Sequence, residues 1–204
     1  MAENNKKLNI LYIFGFNYSL KLWKDSGALE REFYYFERLG KSENVHFTLV
    51  TYGDSEDYSF INSENLSVIP IYSLFNKTNS KIVSFFKSII FPFKVYKSLS
   101  NIEIIKQNQL TGSWVSILFK FLLKKPLYIR TGYDAYLFSI RDKKNIFKKE
   151  FFKLLTKICL IYSDLYSVTS KSDYEFILSN YNFDESKLVL RPNWVLMSSH
   201  KIDI

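Results

Sequence analysis

The sequence predicts an α/β protein in which a doubly wound, mostly parallel sheet carries helices on both faces. Short apolar runs alternate with longer amphipathic stretches along the chain, and this rhythm is typical of successive βα units. The composition agrees, because 47% of the 204 residues are hydrophobic and 18% are aromatic, whereas only six are Gly and four are Pro. A chain of this size is expected to form one domain with a large core.

Seven short apolar runs are predicted to be strands, and residues 8–14 are expected to lie centrally in the sheet. Pro126 opens the fifth run, at a position where a missing backbone N–H is tolerated. The predicted strands are residues 8–14, 45–51, 66–70, 102–106, 126–130, 164–169 and 187–190. Sheets of this kind bind ligands at the carboxyl ends of their strands, so the loops there are the candidates for a site.

Five stretches with helical periodicity separate these strands, at residues 27–39, 80–98, 112–124, 145–162 and 172–179. Gly40 is expected to end the first helix, and Pro92 to break or kink the second. In the fourth helix, the spacing predicts one inward apolar stripe, made of Phe147, Phe151, Leu154, Ile158 and Ile161.

The formal net charge of +8 suits nucleic acid, an anionic membrane surface or a phosphorylated ligand. Most of the cations are Lys scattered among Phe, Ile and Asn, without Arg-rich motifs, so no nucleic-acid partner is expected. A general bias toward Lys, Asn, Ile, Phe and Tyr explains much of the charge equally well.

The single cysteine, Cys159, excludes an intramolecular disulfide framework, and its apolar neighbours indicate core packing. The polar N-terminal segment has no signal-peptide pattern, so the cytoplasm is the expected compartment. His46 and His200 lie far apart, with no Cys at ligand spacing. Neither a metal site nor a cofactor is expected.

The loop after the first strand, residues 15–27, is long and lacks the GxGxxG pattern of dinucleotide-binding proteins. It ends in Asp25-Ser26-Gly27, which suggests a helix N-cap whose free N–H groups suit a phosphate or a sugar hydroxyl. A simple helix cap is the alternative.

Two further loops contain chemically versatile side chains. Asn108 and Gln109 follow the fourth strand, and amides suit a polyhydroxylated ligand because they both donate and accept hydrogen bonds. After the fifth strand, Arg130 suits a phosphate, Tyr133 offers a flat ring, and Asp134 suits a base or a hydroxyl-orienting group. The alternatives are a polar helix-capping loop and a structural Arg130–Asp134 ion pair.

The order of these pieces resembles the N-terminal, Rossmann-like domain of GT-B glycosyltransferases, in particular the large retaining family 4. The resemblance extends from Leu8 to Trp194 and depends on order and spacing more than on any single motif. The matching segments are SGALERE at 26–32, TYG at 51–53, IKQNQLTGSW at 105–114, PLYIRTGYD at 126–134, DLYSVTS at 164–170 and RPNWV at 191–195.

This resemblance implies an acceptor-side domain over residues 1–194 and a hinge-like tail over residues 195–204. Gly27 would line the cleft, and the segment around Tyr133 would meet the acceptor, although many family members have a His there. Asn193 would lie in the hinge. The nucleotide-sugar donor would bind through a second domain that residues 1–204 do not include, or through a partner chain.

Basic, aromatic-rich helical segments suggest a membrane surface. Residues 65–102 contain no acidic residue, and Lys81, Lys87, Lys94 and Lys97 fall there together with a face of Ile82, Phe85, Phe86, Ile89 and Phe93. A second Lys row, at 148, 149, 153 and 157, lies opposite the apolar stripe of the fourth helix. Such helices suit an anionic membrane. Core packing with a solvated Lys face is the alternative.

Two functions remain open at this stage. One is the acceptor side of a transferase that moves a sugar to a glycan or lipid-linked glycan in bacterial surface polysaccharide synthesis, peripheral on the inner face of the membrane. The other is a non-catalytic binding or membrane-docking subunit, or a truncated product, that keeps the fold without the activity.

Overall fold

The computed structural model describes residues 7–193, which form a sheet of seven parallel strands. The strand order is β3-β2-β1-β4-β5-β6-β7, so the chain moves outward from β1 to β3 and then returns to the other side of β1. The strands are β1 Leu8–Ile13, β2 Val45–Thr51, β3 Leu66–Pro70, β4 Ile104–Asn108, β5 Leu127–Arg130, β6 Leu165–Val168 and β7 Leu188–Leu190. The reversal of order between β1 and β4 creates the crevice where ligands of such sheets bind.

Seven α-helices connect the strands within the described residues. They are α1 Leu20–Asp25, α2 Leu29–Ser42, α3 Lys81–Val95, α4 Ser113–Leu123, α5 Ala135–Arg141, α6 Ile146–Tyr162 and α7 Lys171–Asn180. Hydroxyl or amide side chains cap several of them, such as Ser80 at α3 and Asn145 at α6. The prediction of a doubly wound α/β sheet with helices on both faces is confirmed.

Alternate residues of β1 and of the position just after it enter two separate cores. Leu11 and Ile13 pack in the core that contains residues of α3, α4, α6 and α7, whereas Tyr12 and Phe14 pack with α1 and α2. Among the described residues, the second core contains no buried residue of β4–β7. On this side, therefore, the sheet beyond β1 borders a cavity.

Three details of the first helices differ from the predictions. Residues 15–27 are not one long loop, because they include α1, which Asp25 ends and Ser26 caps at its C-terminus. Ala28 occupies the N-cap of α2 without a side-chain hydrogen bond. Gly40 lies inside α2 and does not end it; a Cβ at this position would lie 2.7 Å from the Asn65 amide nitrogen, so Gly allows the helix to pack closely on that side chain.

The predicted inward stripe of α6 is wrong for four of its five residues, whereas Ile158 is partly buried and packs against the core. Phe147 is 83% exposed, and Phe151, Leu154 and Ile161 are also exposed. Instead, the helix buries another side, formed by Leu155, Thr156, Cys159 and Leu160. The helix is apolar on more than one side, so periodicity alone did not determine which side faces the sheet. In α3, the chain continues as a helix through Pro92 to Val95 and does not break there.

Candidate functional site

Three loops converge at the carboxyl end of the sheet, as predicted. The Gln109 N–H donates to the Arg130 carbonyl over 2.9 Å, and the Phe16 N–H donates to the Thr111 carbonyl over 3.0 Å. Gly112 has a φ of +94°, and a Cβ there would lie 3.0 Å from the Phe16 nitrogen. Because L side chains rarely adopt this conformation, glycine is required where the β1 and β4 loops meet.

A cavity of about 620 Å³ opens at this edge and extends along the sheet beside α2. Its lining residues come from β1, α1, α2, the ends of β4 and β5, and Asn193: Tyr12, Trp23, Ala28, Arg31, Glu32, Tyr35, Lys106, Asn108, Gln109, Arg130, Gly132 and Asn193. The structure therefore brings together three of the predicted binding residues, namely Asn108, Gln109 and Arg130. This cavity is the candidate functional site.

Arg130 lies at the end of β5 with its guanidinium beside the cavity. Its Nη2 donates to the Asn193 Oδ1 over 2.8 Å. The Arg130–Asp134 ion pair considered above is not formed within the described residues, because the Asp134 carboxylate points elsewhere. The guanidinium is left bonded to a neutral amide and keeps its full charge for a ligand.

Lys106 was not among the predicted site residues, yet it lines the cavity from β4, two residues before Asn108 at the strand end. The Nζ lies 5.0 Å from the ring centre of Tyr12, 5.1 Å from that of Tyr35 and 5.8 Å from that of Tyr128. Burial, followed by repulsion from Arg130, lowers the pKa of Lys106 to about 8, against a smaller opposing effect of Glu32. The ring faces stabilise the cation but do not neutralise it.

The wall formed by α2 adds Arg31, Glu32 and Tyr35 to the cavity. Arg31 Nη2 lies 2.8 Å from the Glu32 Oε1, so these two opposite charges are paired. The cavity lining thus has three basic side chains and one carboxylate, and that carboxylate already has a partner. Sequence reasoning missed this wall, because no motif marks α2 residues that face a cavity.

Tyr133 lines a second, smaller cavity of about 280 Å³, next to Phe138 and Phe152. Its ring is 46% exposed and lies 4.6 Å from the Phe138 ring, measured between centres. Gln109 lines both cavities, so Tyr133 neighbours the first cavity without lining it.

Asp134 is 1% exposed and lines neither of these two cavities. One carboxylate oxygen caps α5 by accepting the Leu137 N–H over 2.6 Å, and the Asp134 N–H donates to Asp173 over 3.1 Å. Burial, with a smaller contribution from the Asp173 charge, raises the pKa of Asp134 to about 6. Its predicted catalytic role stays a prediction, and the geometry adds a helix-capping role.

Gly27 lies between α1 and α2 with a φ of +71°, and a Cβ there would meet nothing within 4 Å. Its neighbour Ala28 lines the cavity. The start of α1, which leads to this loop, is anchored by Asp57, which accepts the Leu20 and Lys21 N–H groups and the Thr51 hydroxyl. No sequence pattern marks this buried carboxylate, because its two backbone partners, Leu20 and Lys21, are distant along the chain.

The predicted membrane lysines lie on and just after α3, beside exposed apolar side chains. Ile82 is 70% exposed, and Phe86 and Phe93 are also exposed, whereas Ser84 and Ser88 are buried. The Lys94 ammonium lies 4.7 Å above the Phe75 ring. Among residues 7–193, none of the helices combines the length and hydrophobicity needed to span a bilayer. Over the same residues, no group of His, Cys, Asp and Glu side chains is arranged to hold a metal ion.

No protein-family model matches this chain, and no curated protein matches it. Solved structures do, and the fold they share is that of a single GT-B domain. Sucrose-phosphate synthase from Thermosynechococcus elongatus superimposes with a TM-score of 0.69 at 14% identity, over 91% of this chain and 48% of that one.

Two further solved structures share this fold. The lipopolysaccharide outer core galactosyltransferase WaaB matches 94% of this chain and 47% of its own, with a TM-score of 0.55 and 12% identity. HepE from Anabaena, solved with UDP-glucose, matches 91% of this chain and 44% of its own, with a TM-score of 0.52 and 11% identity. The chain therefore spans about half the length of each of these three structures. UDP-N-acetylglucosamine 2-epimerases share the fold too, so the fold alone does not select the reaction.

Proposed function

We propose that this chain is the acceptor side of a retaining glycosyltransferase, which moves a sugar from a nucleotide-sugar donor to a glycan or lipid-linked glycan. The observation that carries the proposal is the polar cavity at the crevice of a GT-B domain, where amides and a guanidinium from separate loops meet. The proposed setting is bacterial surface polysaccharide synthesis at the cytoplasmic side of the membrane.

The cavity residues have distinct roles in this proposal. Asn108 and Gln109 each offer a carbonyl and an amide N–H₂, so they hydrogen-bond sugar hydroxyls in either direction. Gln109 keeps a φ of +76°, and the main-chain bond to Arg130 holds it there. Tyr133 offers a ring face next to the cavity. Catalysis would depend mainly on placing the acceptor hydroxyl and stabilising the departing phosphate.

The donor site belongs to the part of the enzyme that these residues do not represent. The chain matches about half the length of the sucrose-phosphate synthase and of HepE, and the HepE structure contains UDP-glucose. We therefore propose that a nucleotide sugar binds through a second domain or a partner chain facing Gly27 and Arg130.

The membrane is the second proposed partner. The surface of α3 exposes Ile82, Phe86 and Phe93 beside lysines, although the helix buries Phe91 and Val95 in the core. Exposed apolar side chains next to lysines suit an anionic membrane surface. A docking subunit without activity would share this surface, so the sugar site and the membrane surface need separate tests.

Saturation-transfer NMR on residues 1–204 with a panel of neutral oligosaccharides tests the acceptor site. We expect binding that Asn108→Ala and Gln109→Ala each weaken about fivefold or more, because each removes hydrogen bonds. Asn101→Ala, in the turn that precedes β4, is the matched control and should leave binding unchanged. Equal effects of all three substitutions, or no saccharide binding, would contradict the proposal. If the complete enzyme converts a UDP-sugar to its epimer, the protein is an epimerase and the transferase proposal is wrong.

A further inference from the structure

The inner part of the candidate cavity holds an unusual cation. Within residues 7–193, the Lys106 ammonium makes no hydrogen bond and no ion pair, and three tyrosine rings surround it within 6 Å. Buried ammonium groups are normally paired with a carboxylate or another acceptor, because leaving water without one is costly. Lys106 and two of these tyrosines, Tyr12 and Tyr35, line the cavity.

The neighbouring charges do not supply that partner. Arg130 is a like charge, and its guanidinium bonds the neutral Asn193 side chain. Glu32 is the single carboxylate of the described lining, and Arg31 holds it at 2.8 Å. Two cations, Lys106 and Arg130, therefore share one cavity whose single carboxylate among the described residues, Glu32, is already paired with Arg31.

The pairing of β4 with β5 places the two cations at successive positions on one face of the sheet. Lys106 is paired with Tyr128 between β4 and β5, and Asn108 is paired with Arg130, two residues further along both strands. Side chains two residues apart point to the same face of a strand and are separated by about 6.6 Å along it. A ligand entering at Asn108 and Gln109 thus reaches Arg130 first and Lys106 one step deeper.

We propose that this cavity is a subsite for an oxyanion on the acceptor, a sugar carboxylate or a sugar phosphate, held between Lys106 and Arg130. The inference depends on the proposed acceptor role of the cavity and extends it by naming the acceptor as acidic. The anionic group lies inward, toward the tyrosine cage, and the neutral hydroxyls lie outward, toward the amides. Oxyanions suit the pair because guanidinium and ammonium groups both form short, charge-assisted hydrogen bonds to them.

Calorimetry on residues 1–204 with three probes tests this: glucose, glucuronate and glucose 6-phosphate. We expect one or both acidic sugars to bind at least about tenfold more tightly than glucose, the difference that a charge-assisted hydrogen bond provides. Preference for glucuronate identifies a carboxylate acceptor, and preference for glucose 6-phosphate identifies a phosphorylated one. Equal affinities for all three sugars would overturn the proposal.

Lys106→Met keeps the apolar stem and removes the charge. It should abolish the preference for the acidic sugar, whereas Lys41→Met, at the far end of α2, should leave it unchanged. If Lys106 serves only to pack against the tyrosines, Lys106→Met will lower the melting temperature and keep the preference; that result would also overturn the proposal.

The pH dependence of glucuronate binding tests the role of Lys106 independently. The ionisable and charged groups that face Lys106 are Tyr12 on β1, Glu32 and Tyr35 on α2, and Tyr128 and Arg130 on β5. Since the pKa of Lys106 is about 8, glucuronate affinity should fall as the pH rises through 8 and the ammonium loses its proton. Lys106→Arg stays charged and should bind glucuronate with little change between pH 7 and pH 9. A pH-independent wild type would contradict the assignment.

The two proposals fail separately. Neutral oligosaccharide binding that depends on Asn108 and Gln109, with no preference for acidic sugars, would keep the acceptor site and reject the oxyanion subsite. Lys106-dependent binding of inorganic phosphate without any sugar binding would keep an oxyanion site in the cavity and reject the acceptor site.

Discussion

Two ionisable residues near the candidate site lie in contrasting surroundings. Lys106 faces an open cavity, and its pKa falls to about 8. Asp134 is turned into the protein, where one oxygen caps α5 and the other has no hydrogen-bond partner among the described residues. The sequence placed both side chains at strand ends, and only the three-dimensional packing determined which of them a ligand reaches.

Asp134→Asn should raise the free energy of unfolding at pH 7. Because the folded-state pKa of about 6 lies above the usual 3.8, protonation favours the folded state. This contribution is fully present below about pH 4 and is lost as the pH rises through 6, so the ionised residue destabilises the protein at pH 7. The Asn side chain is neutral and keeps a capping oxygen. The substitution should therefore raise the free energy of unfolding on the order of 1–2 kcal/mol at pH 7 and almost not at all at pH 4. Urea unfolding at the two pH values measures the difference.

Asp184→Asn is the control with the opposite sign. Asp184 is also an N-cap, but hydrogen bonds from the Ser186 side chain and backbone lower its pKa, so replacing it should not stabilise the protein at pH 7. In the complete enzyme, Asp134→Asn separates capping from catalysis. A general base would lose about 100-fold or more in transfer rate, whereas a cap would keep it.

At the scale of elements, α3 and α6 show where sequence periodicity stops being informative. Both helices have apolar side chains on more than one side, and the sheet selected the sides containing Phe91 and Val95 in α3 and Cys159 and Leu160 in α6. Ile82, Phe86, Phe147 and Phe151 were left outside. Both helices pack on the same side of the sheet, with α4 between them. This side therefore combines exposed aromatic residues with lysines.

Substituting Lys81, Lys87, Lys94 and Lys97 together by Gln should weaken binding to anionic vesicles by about 100-fold or more. Each Lys near such a surface contributes about 1 kcal/mol, and salt screens the attraction. Vesicle sedimentation with phosphatidylserine, at low and at high salt, measures the effect.

A charge-matched control is available on the other side of the sheet. This control replaces four basic residues of α1 and α2 by Gln, namely Lys21, Lys24, Arg38 and Lys41. It removes the same charge as the α3 substitutions and should weaken vesicle binding far less than they do. Equal losses in the two variants would show that net charge, and not this surface, attracts the membrane. Binding that survives both high salt and the α3 substitutions would reject the electrostatic role of these lysines.

At the scale of the whole molecule, the described residues have the fold of one GT-B domain, with a cavity at the point where the strand order reverses. We expect residues 1–204 alone to bind acceptor sugars without transferring a sugar, because the proposed donor site lies in another domain or chain. A UDP-release assay with UDP-glucose and an acidic acceptor checks this. Steady turnover by the purified chain would show that donor contacts exist within these residues.

The sequence by itself determined the α/β class, the parallel sheet and the three loops that meet at its carboxyl edge. These features follow from local patterns: apolar runs of strand length, amphipathic stretches between them, and polar residues at strand ends. The hinge-like tail at residues 195–204 lies outside the described residues and stays a prediction.

Only the tertiary structure determined which side of α3 and α6 is exposed, that Asp134 is buried, and that Lys106 and α2 line the cavity. The physical reason is the same in each case. A residue's period along the chain determines which residues share a side of an element, but the direction of that side depends on packing against elements distant in sequence. Lys106 illustrates this, since its cage consists of tyrosines from β1, α2 and β5 that no sequence window brings together.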